Sequence, residues 1–266
     1  MIINTRLDCH MHSTFSDGSA TIDQMAKSAI EKGLETIAIT DHMPLPFKTR
    51  YAMDLEQIGN YRDAIQKAAR THKQNLTILS GMEMEYIPGH EQWVKNVRDL
   101  GWDMLLISVH QIATHQGVFL INGREDDFRQ TLTRAFRNDF QAFCREYYAL
   151  VCQAASTGWF DAVGHLDVLK KHNLDNKYFD EKSDWYRELI HDTLDTIAGA
   201  GMKMEINTNG LHHAAAAPYP SYWIIREAMK RNIPLILGSD AHHPQFQGQH
   251  FDLVAAEIAK IRQQIS

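Results

Sequence analysis

The residues of this chain that could carry out chemistry are histidines and carboxylates spaced for metal binding. His10 and His12 stand two residues apart at the end of an apolar stretch. On a β-strand, residues i and i+2 face the same side, so both imidazoles can reach one metal ion. Neutral imidazole is a common ligand of zinc, manganese and iron. The same residue types recur behind further apolar stretches, at Asp41, His42, Glu83, His110, His165, Asp240 and His242.

Each of these residues alone would have an ordinary explanation. An isolated His-x-His could be two surface histidines, Asp41 could cap a helix, and a lone histidine could be buried beside a hydrogen-bond partner. The joint pattern argues otherwise, because the His-x-His, Asp-His and Asp-x-His pairs each follow a separate apolar stretch. The chain is therefore predicted to bind metal.

The elements that must position these residues alternate between strand and helix. The apolar runs predict strands over 2–10, 36–40, 76–79, 104–109, 160–163, 203–207 and 234–237. Amphipathic spacing predicts helices over 21–33, 54–72, 92–100, 126–157, 183–199, 221–231 and 251–265, the first with Thr21 as its N-cap. Residues 111–124 and 209–220 are expected to be irregular loops.

Seven strand–helix alternations imply a parallel sheet, either closed into a barrel or open and doubly wound. A barrel gathers its active site from the carboxyl ends of many strands, whereas an open sheet gathers ligands around one switch point. Because the ligand-type residues follow six strands, we predict an α/β fold of the TIM-like (β/α)7 barrel type. The length of 266 residues fits one domain over 1–266.

Composition excludes several classes of function. A net charge of −6 with histidine neutral argues against a basic nucleic-acid surface. No apolar run approaches the length of a membrane span, and the first residues lack the plan of a signal peptide. Three cysteines are too few for a disulfide framework. We expect a cytoplasmic protein with no nucleic-acid or membrane partner, and the sequence leaves its oligomeric state open.

The ligand-type side chains are too many for one mononuclear site, which takes about four ligands for zinc. They suit two or three divalent ions that share a bridging carboxylate. A His/Asp/Glu mixture without a cysteine cluster indicates Zn, Mn or Fe. Centres of this kind in hydrolases clamp a phosphate ester and activate water near neutral pH.

Six motifs in this chain resemble those of the PHP (polymerase and histidinol phosphatase) family. They are Asp8-Cys9-His10-Met11-His12, Thr40-Asp41-His42, Gly81-Met82-Glu83, Ser108-Val109-His110, Gly164-His165-Leu166-Asp167 and Gly238-Ser239-Asp240-Ala241-His242. The stretch 160–167 followed by Lys170-Lys171, and the stretch 205–211 followed by Tyr219-Pro220-Ser221, are similar to the histidinol-phosphate phosphatase branch. The resemblance implies a distorted (β/α)7 barrel with a trinuclear metal centre.

The resemblance also implies which residues hold the ions. His10, His12, Glu83 and Asp240 would hold the first ion, and Asp17, His42 and His242 would hold the second. Glu83 would bridge to a third ion held with His110 and His165. Relatives carry either His or Asp at the position of Asp17.

Catalysis by such a centre would hydrolyse a phosphate monoester through a hydroxide that bridges metals, with Glu83 as the bridging carboxylate. The leaving alkoxide needs a proton, and Asp41, beside His42, is a candidate acid or a group that orients its neighbour.

Three residues are candidates for binding the substrate phosphate. Lys171 occupies the place where the branch often carries a basic residue. His212 stands after Asn-Thr-x-Gly-Leu, where the branch usually carries an arginine that contacts phosphate. Arg124, in the loop after the His110 strand, could supply a guanidinium, or it could be a solvent-exposed loop residue. The departure at His212 implies weaker phosphate binding or a different substrate.

The sequence thus predicts a phosphomonoesterase, with L-histidinol phosphate as the first substrate to test. A PHP phosphoesterase for another small sugar or nucleotide phosphate is the alternative. A nuclease is disfavoured by the acidic balance, and a metal-binding module without catalysis is disfavoured because no ligand is missing from the motifs. An amidohydrolase would require a carboxylated lysine at a strand end, and the motif-bearing strand ends carry none.

Overall fold

The computed structural model describes residues 3–114 and 116–265. Its strands are β1 (Leu7–Asp8), β2 (Thr36–Ile39), β3 (Thr77–Glu85), β4 (Met104–Ser108), β5 (Gln111–Thr114), β6 (Gly117–Leu120), β7 (Ala162–Val163), β8 (Lys203–Asn207) and β9 (Leu235–Gly238). Its α-helices are α1 (Ile22–Glu31), α2 (Ile58–His72), α3 (Glu91–Arg98), α4 (Glu125–Phe136), α5 (Phe140–Ser156), α6 (Asp184–Gly199), α7 (Tyr222–Lys230) and α8 (Phe251–Ile265). Short 3₁₀ helices cover Leu55–Gln57, Val168–His172, Leu174–Asn176, Thr208–His212 and Pro244–Phe246.

Seven of these strands pair in parallel in the order β1-β2-β3-β4-β7-β8-β9. The two ends of this sheet approach each other. The Cys9 amide donates to the Leu237 carbonyl at 3.0 Å, and Met11 pairs in parallel with Ala241. The sheet is therefore a nearly closed barrel, as predicted, with a helix connecting most successive strands.

Two apolar layers follow from the alternation of side chains along the strands. Ile37 and Ile39 of β2 belong to the large core between the strands and the surrounding helices. Ala38, between them, belongs to a separate small cluster with Leu106 and Ala162 from other strands. This cluster fills the barrel interior with small and medium side chains, so the barrel is a packed core and the site must lie at one of its ends.

Local sequence signals explain where several elements begin and end. Thr21 caps α1, because its hydroxyl accepts from the Gln24 amide at 3.3 Å while the Gln24 side chain accepts from the Thr21 amide at 2.9 Å. Gly33, with φ of +75°, lies just beyond the helix end. β3 continues to Glu85, past the predicted end at 79, and so includes Glu83.

Two predictions for residues 111–157 are wrong. Residues 111–114 and 117–120 form an antiparallel hairpin, β5 and β6, rather than an irregular loop; His115 lies outside the described residues. The predicted helix over 126–157 is two helices, because Arg137 and Asn138 take positive φ values of 54° and 64°. The Asp139 side chain then accepts from the Ala142 amide at 2.9 Å and starts α5.

The predicted first strand begins at Ile2, which lies outside the described residues. The predicted strand over 160–163 is observed only as Ala162–Val163. Among the helices that the structure describes, we find none that combines the length and the apolar character needed to cross a membrane.

Candidate metal centre

The predicted metal ligands converge at the carboxyl end of the barrel. His10 and His12 follow β1, His42 follows β2, and Glu83 lies within β3. The remaining strands supply the rest, with His110 after β4, His165 after β7, and Asp240 and His242 after β9. Because parallel strands all end at one rim, residues far apart in sequence meet there.

Glu83 lies at the centre of the cluster, 2% exposed. Its Oε2 atom is 2.7 Å from His42 Nδ1, and its Oε1 atom is 3.0 Å from His165 Nε2. Three further imidazoles lie within 4 Å of the same carboxylate, with Nε2 distances of 3.2 Å for His110, 3.4 Å for His10 and 3.7 Å for His12. One carboxylate thus faces five imidazoles, which is the placement expected of a bridging ligand.

The two aspartates contact different nitrogens of the His12 ring. Asp240 Oδ1 is 3.2 Å from His12 Nε2 and 3.7 Å from His10 Nε2. Asp17, in the loop after β1, places Oδ1 3.2 Å from His242 Nε2 and 3.7 Å from both His42 Nε2 and His12 Nδ1. All nine predicted ligands are therefore brought together, including Asp17, whose side chain is 30% exposed.

Ligand atoms within 4.8 Å of one another form three overlapping groups among the described residues. They are His10, His12 and Glu83; His42, Glu83 and His110; and His12, Asp17, His42 and His242. These groups contain seven of the nine predicted ligands: Asp240 and His165 belong to none of them, and His12, His42 and Glu83 are each shared between two groups. Each group could hold a metal ion.

The hydrogen bonding of the cluster fits bound cations. His10 Nε2 lies 3.2 Å from His12 Nε2, and His110 Nε2 lies 3.2 Å from His165 Nε2. Within the described part of the chain, Glu83 Oε2 has no hydrogen-bond donor: its 2.7 Å contact with His42 Nδ1 lacks hydrogen-bond geometry. Buried polar atoms rarely stay unpaired. Imidazole nitrogens and carboxylate oxygens that face each other in this way are therefore suited to bind divalent ions between them.

Electrostatics in the cluster favours ionised carboxylates. Burial opposes ionisation of Glu83, but His110, His42 and His10 outweigh it and hold the pKa of the carboxyl well below its usual range. Burial likewise opposes ionisation of Asp240, yet its pKa is lowered, mainly because His10 lies beside it. Burial, with His242 and His42 beside it, lowers the pKa of His12 to about 3. Burial opposes protonation of His10, His110 and His242, but the neighbouring carboxylates outweigh it: the pKa values of His10 and His110 lie well above the usual range and that of His242 is about 9, so metal binding would have to release these protons.

Sequence reasoning missed two carboxylates that support the ligands. Glu205 Oε1 accepts from His10 Nδ1 at 2.7 Å. Glu85 Oε2 accepts from His110 Nδ1 at 2.8 Å. Such partners fix the tautomer of a ligating histidine and leave Nε2 free. A signal is present in the sequence, since Glu85 stands two residues after Glu83 and Glu205 lies within the predicted strand over 203–207.

Asp41 lies away from the cavity beside the cluster. Its carboxylate is fully buried and accepts from the backbone amide and hydroxyl of Ser13 at 2.8 and 2.7 Å, and from the amide of Ser16 at 3.1 Å. The structure therefore does not support Asp41 as a proton donor to a leaving group. It shows a residue that anchors the loop carrying Asp17.

A cavity of about 250 Å³ opens beside the cluster. Its lining comprises seven of the nine predicted ligands, all but His10 and His12, together with Tyr51, Leu120, Asn122, Gly123, Lys171 and Asn209. A larger cavity of about 530 Å³ lies at the other end of β9, lined by residues such as Ile3, Met229 and Ile258. Among the residues that the structure describes, no histidine, cysteine or carboxylate lines that larger cavity, so the smaller one is the candidate active site.

Of the three predicted phosphate-binding residues, the structure brings only Lys171 to this cavity. Lys171 Nζ donates to the Asn122 carbonyl at 2.7 Å, and burial lowers the pKa of its ammonium group. The Arg124 side chain is 88% exposed and faces Asp127 at 3.9 Å. His212 is exposed and hydrogen bonds to Gln249 at 2.6 Å. The structure does not support Arg124 or His212 as phosphate ligands in this conformation.

Tyr51, Asn122 and Asn209 line the cavity although sequence reasoning did not single them out. Tyr51 packs its ring edge-on against His42, at 4.9 Å between ring centroids. Asn209 follows β8, and its Nδ2 lies 3.4 Å from Asp240 Oδ2. They come from loops or 3₁₀ turns, where no periodic pattern marks which side chain faces inward.

Comparison with known proteins agrees with this architecture. A family model of the PHP domain matches residues 8–209. A Deinococcus radiodurans protein named "Probable histidinol-phosphatase" is 33% identical over 96% of this chain and 93% of its own length. The Bacillus subtilis protein named "Histidinol-phosphatase" is 28% identical over 88% of this chain and 92% of its own length.

Solved structures share the fold. The HisK protein of Listeria monocytogenes superimposes with a TM-score of 0.85 at 20% identity, over 93% of this chain and 99% of that chain. The histidinol phosphate phosphatase of Lactococcus lactis, solved with Zn, L-histidinol and phosphate, gives a TM-score of 0.71 at 20% identity, over 97% and 92% of the two chains. From the extent of the domain match and the identity to the Deinococcus protein, the chain belongs to the PHP domain family.

Proposed function

We propose that this chain is a metal-dependent phosphomonoesterase that hydrolyses L-histidinol phosphate to histidinol and phosphate. The observation that carries the proposal is the position of Glu83, a buried carboxylate with five imidazoles within 4 Å, beside a cavity that Lys171 lines. A carboxylate so placed is suited to hold two cations close together, and paired cations next to a cationic side chain suit a phosphate ester.

The nine clustered side chains would hold two or three divalent ions, Zn, Mn or Fe. His10, His12, Glu83 and Asp240 would form one position. Asp17, His42 and His242 would form a second, and Glu83, His110 and His165 a third. Bound ions would supply positive charge for the phosphate oxygens and a water molecule that loses its proton near neutral pH.

The protein's own residues would bind and orient the substrate. Lys171 presents an ammonium group to the cavity, and a phosphate oxygen could replace the Asn122 carbonyl that Nζ now contacts at 2.7 Å. Asn209 and Asn122 offer amide groups at the same wall. The deep burial of His10 and Glu83 keeps bulk water away from the floor, which strengthens each electrostatic contact there.

The choice of substrate is supported by the names of relatives. The Deinococcus and Bacillus proteins named above cover this chain almost completely, and the Lactococcus structure holds Zn, L-histidinol and phosphate. We extend that substrate to this chain, and with it a place in histidine biosynthesis. Three free cysteines, two of them buried, support a cytoplasmic location.

One observation favours a second candidate, a PHP phosphomonoesterase for a different small phosphate. Neither Arg124 nor His212 lies at the cavity, so the described residues there include one cationic side chain, Lys171. Lysine offers a point charge without the bidentate geometry of a guanidinium. A site built this way selects less strictly for one phosphate orientation.

The test is phosphate release from a panel of monoesters by protein whose ions have been counted. The proposal predicts a kcat/KM for L-histidinol phosphate at least about tenfold above that for glycerol phosphate, sugar phosphates and nucleoside monophosphates. Comparable or faster turnover of another monoester would establish the second candidate. Absence of phosphate release from every ester by fully loaded protein would contradict the phosphatase function.

A further inference from the structure

The end of β8 contributes no predicted metal ligand, yet its side chains contact ligands from three other strands. Glu205 is fully buried. Its Oε1 accepts from His10 Nδ1 at 2.7 Å, and its Oε2 accepts from the backbone amide of His165 at 2.7 Å. The two oxygens of one carboxylate thus hold residues that come from β7, directly beside β8, and from β1, which lies beyond β9 where the barrel closes.

These two contacts set the orientation of both residues. With Nδ1 donating to Glu205, His10 keeps the lone pair of Nε2 for a cation beside Glu83, whose Oε1 is 3.4 Å away. The hydrogen bond from the His165 amide fixes the backbone from which the His165 side chain extends. That ring then reaches Glu83 Oε1 at 3.0 Å from the other direction.

The Glu205 carboxylate has little room to move. A Cβ atom added at Gly238 would overlap Glu205 Oε1 and lie 2.8 Å from His10 Cβ, so the glycine leaves space that the carboxylate fills. The Asn207 amide lies 3.3 and 3.4 Å from the two Glu205 oxygens and 3.3 Å from Asp240 Oδ2. A displacement of the carboxylate at one ligand must therefore displace it at the other.

We propose that Glu205 is a positioning residue that couples two metal positions, the one that includes His10 and the one that includes His165. The inference rests on the proposed metal centre and adds a specific linkage within it. Loss of the carboxylate should loosen ligands of two ions at once.

Glu85 provides a matched control within the same site. Its Oε2 accepts from His110 Nδ1 at 2.8 Å, and its Oε1 accepts from the His110 backbone amide at 2.8 Å. It is 2% exposed. Glu85 therefore makes the same two kinds of contact as Glu205, to an imidazole and to a backbone amide, but both contacts go to one ligand residue.

The experiment compares Glu205→Gln with Glu85→Gln. Each protein is stripped of metal and equilibrated with Zn²⁺ buffered at the free concentration that just saturates the wild type, and bound zinc per chain is counted by elemental analysis. Loss of such a partner weakens metal binding about 10- to 100-fold. We expect Glu205→Gln to release two ions per chain and Glu85→Gln to release one.

Release of one ion or none by Glu205→Gln would overturn the coupling while leaving the metal centre intact. A wild-type protein that binds no zinc would overturn the proposed centre itself, together with the coupling. Circular dichroism of the zinc-free proteins establishes that both variants are folded. If Glu205→Gln does not fold, Glu205→Asp keeps the buried charge but shortens its reach; the release of two ions is again expected, and the release of only one contradicts the coupling.

Discussion

The two halves of the candidate site are built differently. On the metal side, His10, His12 and Glu83 sit on or just beyond strands, and each is at most 2% exposed. On the substrate side, Tyr51, Asn122 and Lys171 come from loops or a 3₁₀ turn and are half-buried. The difference leads us to propose that the barrel itself fixes where cations bind, whereas connecting segments decide which phosphate ester is accepted.

The largest effect should come from removing divalent ions, which tests whether the metal side is the catalytic half. Treatment with a chelator should abolish phosphate release, and added Zn²⁺ or Mn²⁺ should restore it. Ions held at 100 times Kd stabilise by about 2.7 kcal/mol, which corresponds to a fall in Tm of about 5–10 °C at about 2–4 °C per kcal/mol. Unchanged turnover in protein shown by elemental analysis to lack metal would contradict the account.

Glu83→Gln should have the next largest effect. The amide keeps the size of the side chain but offers one neutral oxygen between five imidazoles, so we expect metal affinity to fall by more than about 100-fold, beyond the loss typical of an outer partner. Turnover should fall with it. Glu56→Gln, at an exposed carboxylate in the turn before α2, is the control. Wild-type zinc content and kcat in the Glu83 variant would show that Glu83 bridges nothing.

Lys171→Met should have an intermediate effect that separates the two halves of the site. A hydrogen bond to a charged group contributes about 1.5–3 kcal/mol, so kcat/KM for a phosphate monoester should fall about 10- to 100-fold. Bound metal should stay at the wild-type level. Steady-state kinetics with parallel zinc counting checks both statements, and an equal loss of zinc would mean that Lys171 belongs to the metal side.

The smallest effects should come from His212→Ala and Arg124→Ala. Both side chains are exposed and lie outside the cavity, so we expect KM and kcat to change less than about twofold. A tenfold rise in KM for either variant would show that the loop bearing that residue closes over the bound phosphate. The substrate side would then differ from the metal side in changing its conformation when the substrate binds.

The same contrast explains what the sequence could predict. His10 and His12 could be predicted as ligands because residues two apart on a strand face the same side. Glu83 could be added because the strands of a parallel barrel all end at the same rim. The breaks in the pattern were harder. The predicted helix over 126–157 is split by Arg137 and Asn138, whose backbone is left-handed, although the amphipathic pattern continues across them. The hairpin of β5 and β6 is too short for its pattern to be told from that of a loop.

Side chains whose role depends on three-dimensional neighbours are the ones that the sequence alone could not place. Asp41 stands beside a predicted ligand, but its carboxylate accepts hydrogen bonds from Ser13 and Ser16. Glu205 has no ligand motif of its own, and its role appears only when β8 is placed between β7 and β9. His212 occupies a motif position, yet its ring faces Gln249.

The most direct test of the central claim is a crystal structure of the zinc-loaded protein with anomalous data collected at the zinc edge. The account predicts two or three anomalous peaks around Glu83, with at least two ions in contact with its carboxylate and with His10 and His165 on different ions. A single peak that Glu83 does not contact, or no peak at the carboxyl end of the barrel, would contradict it.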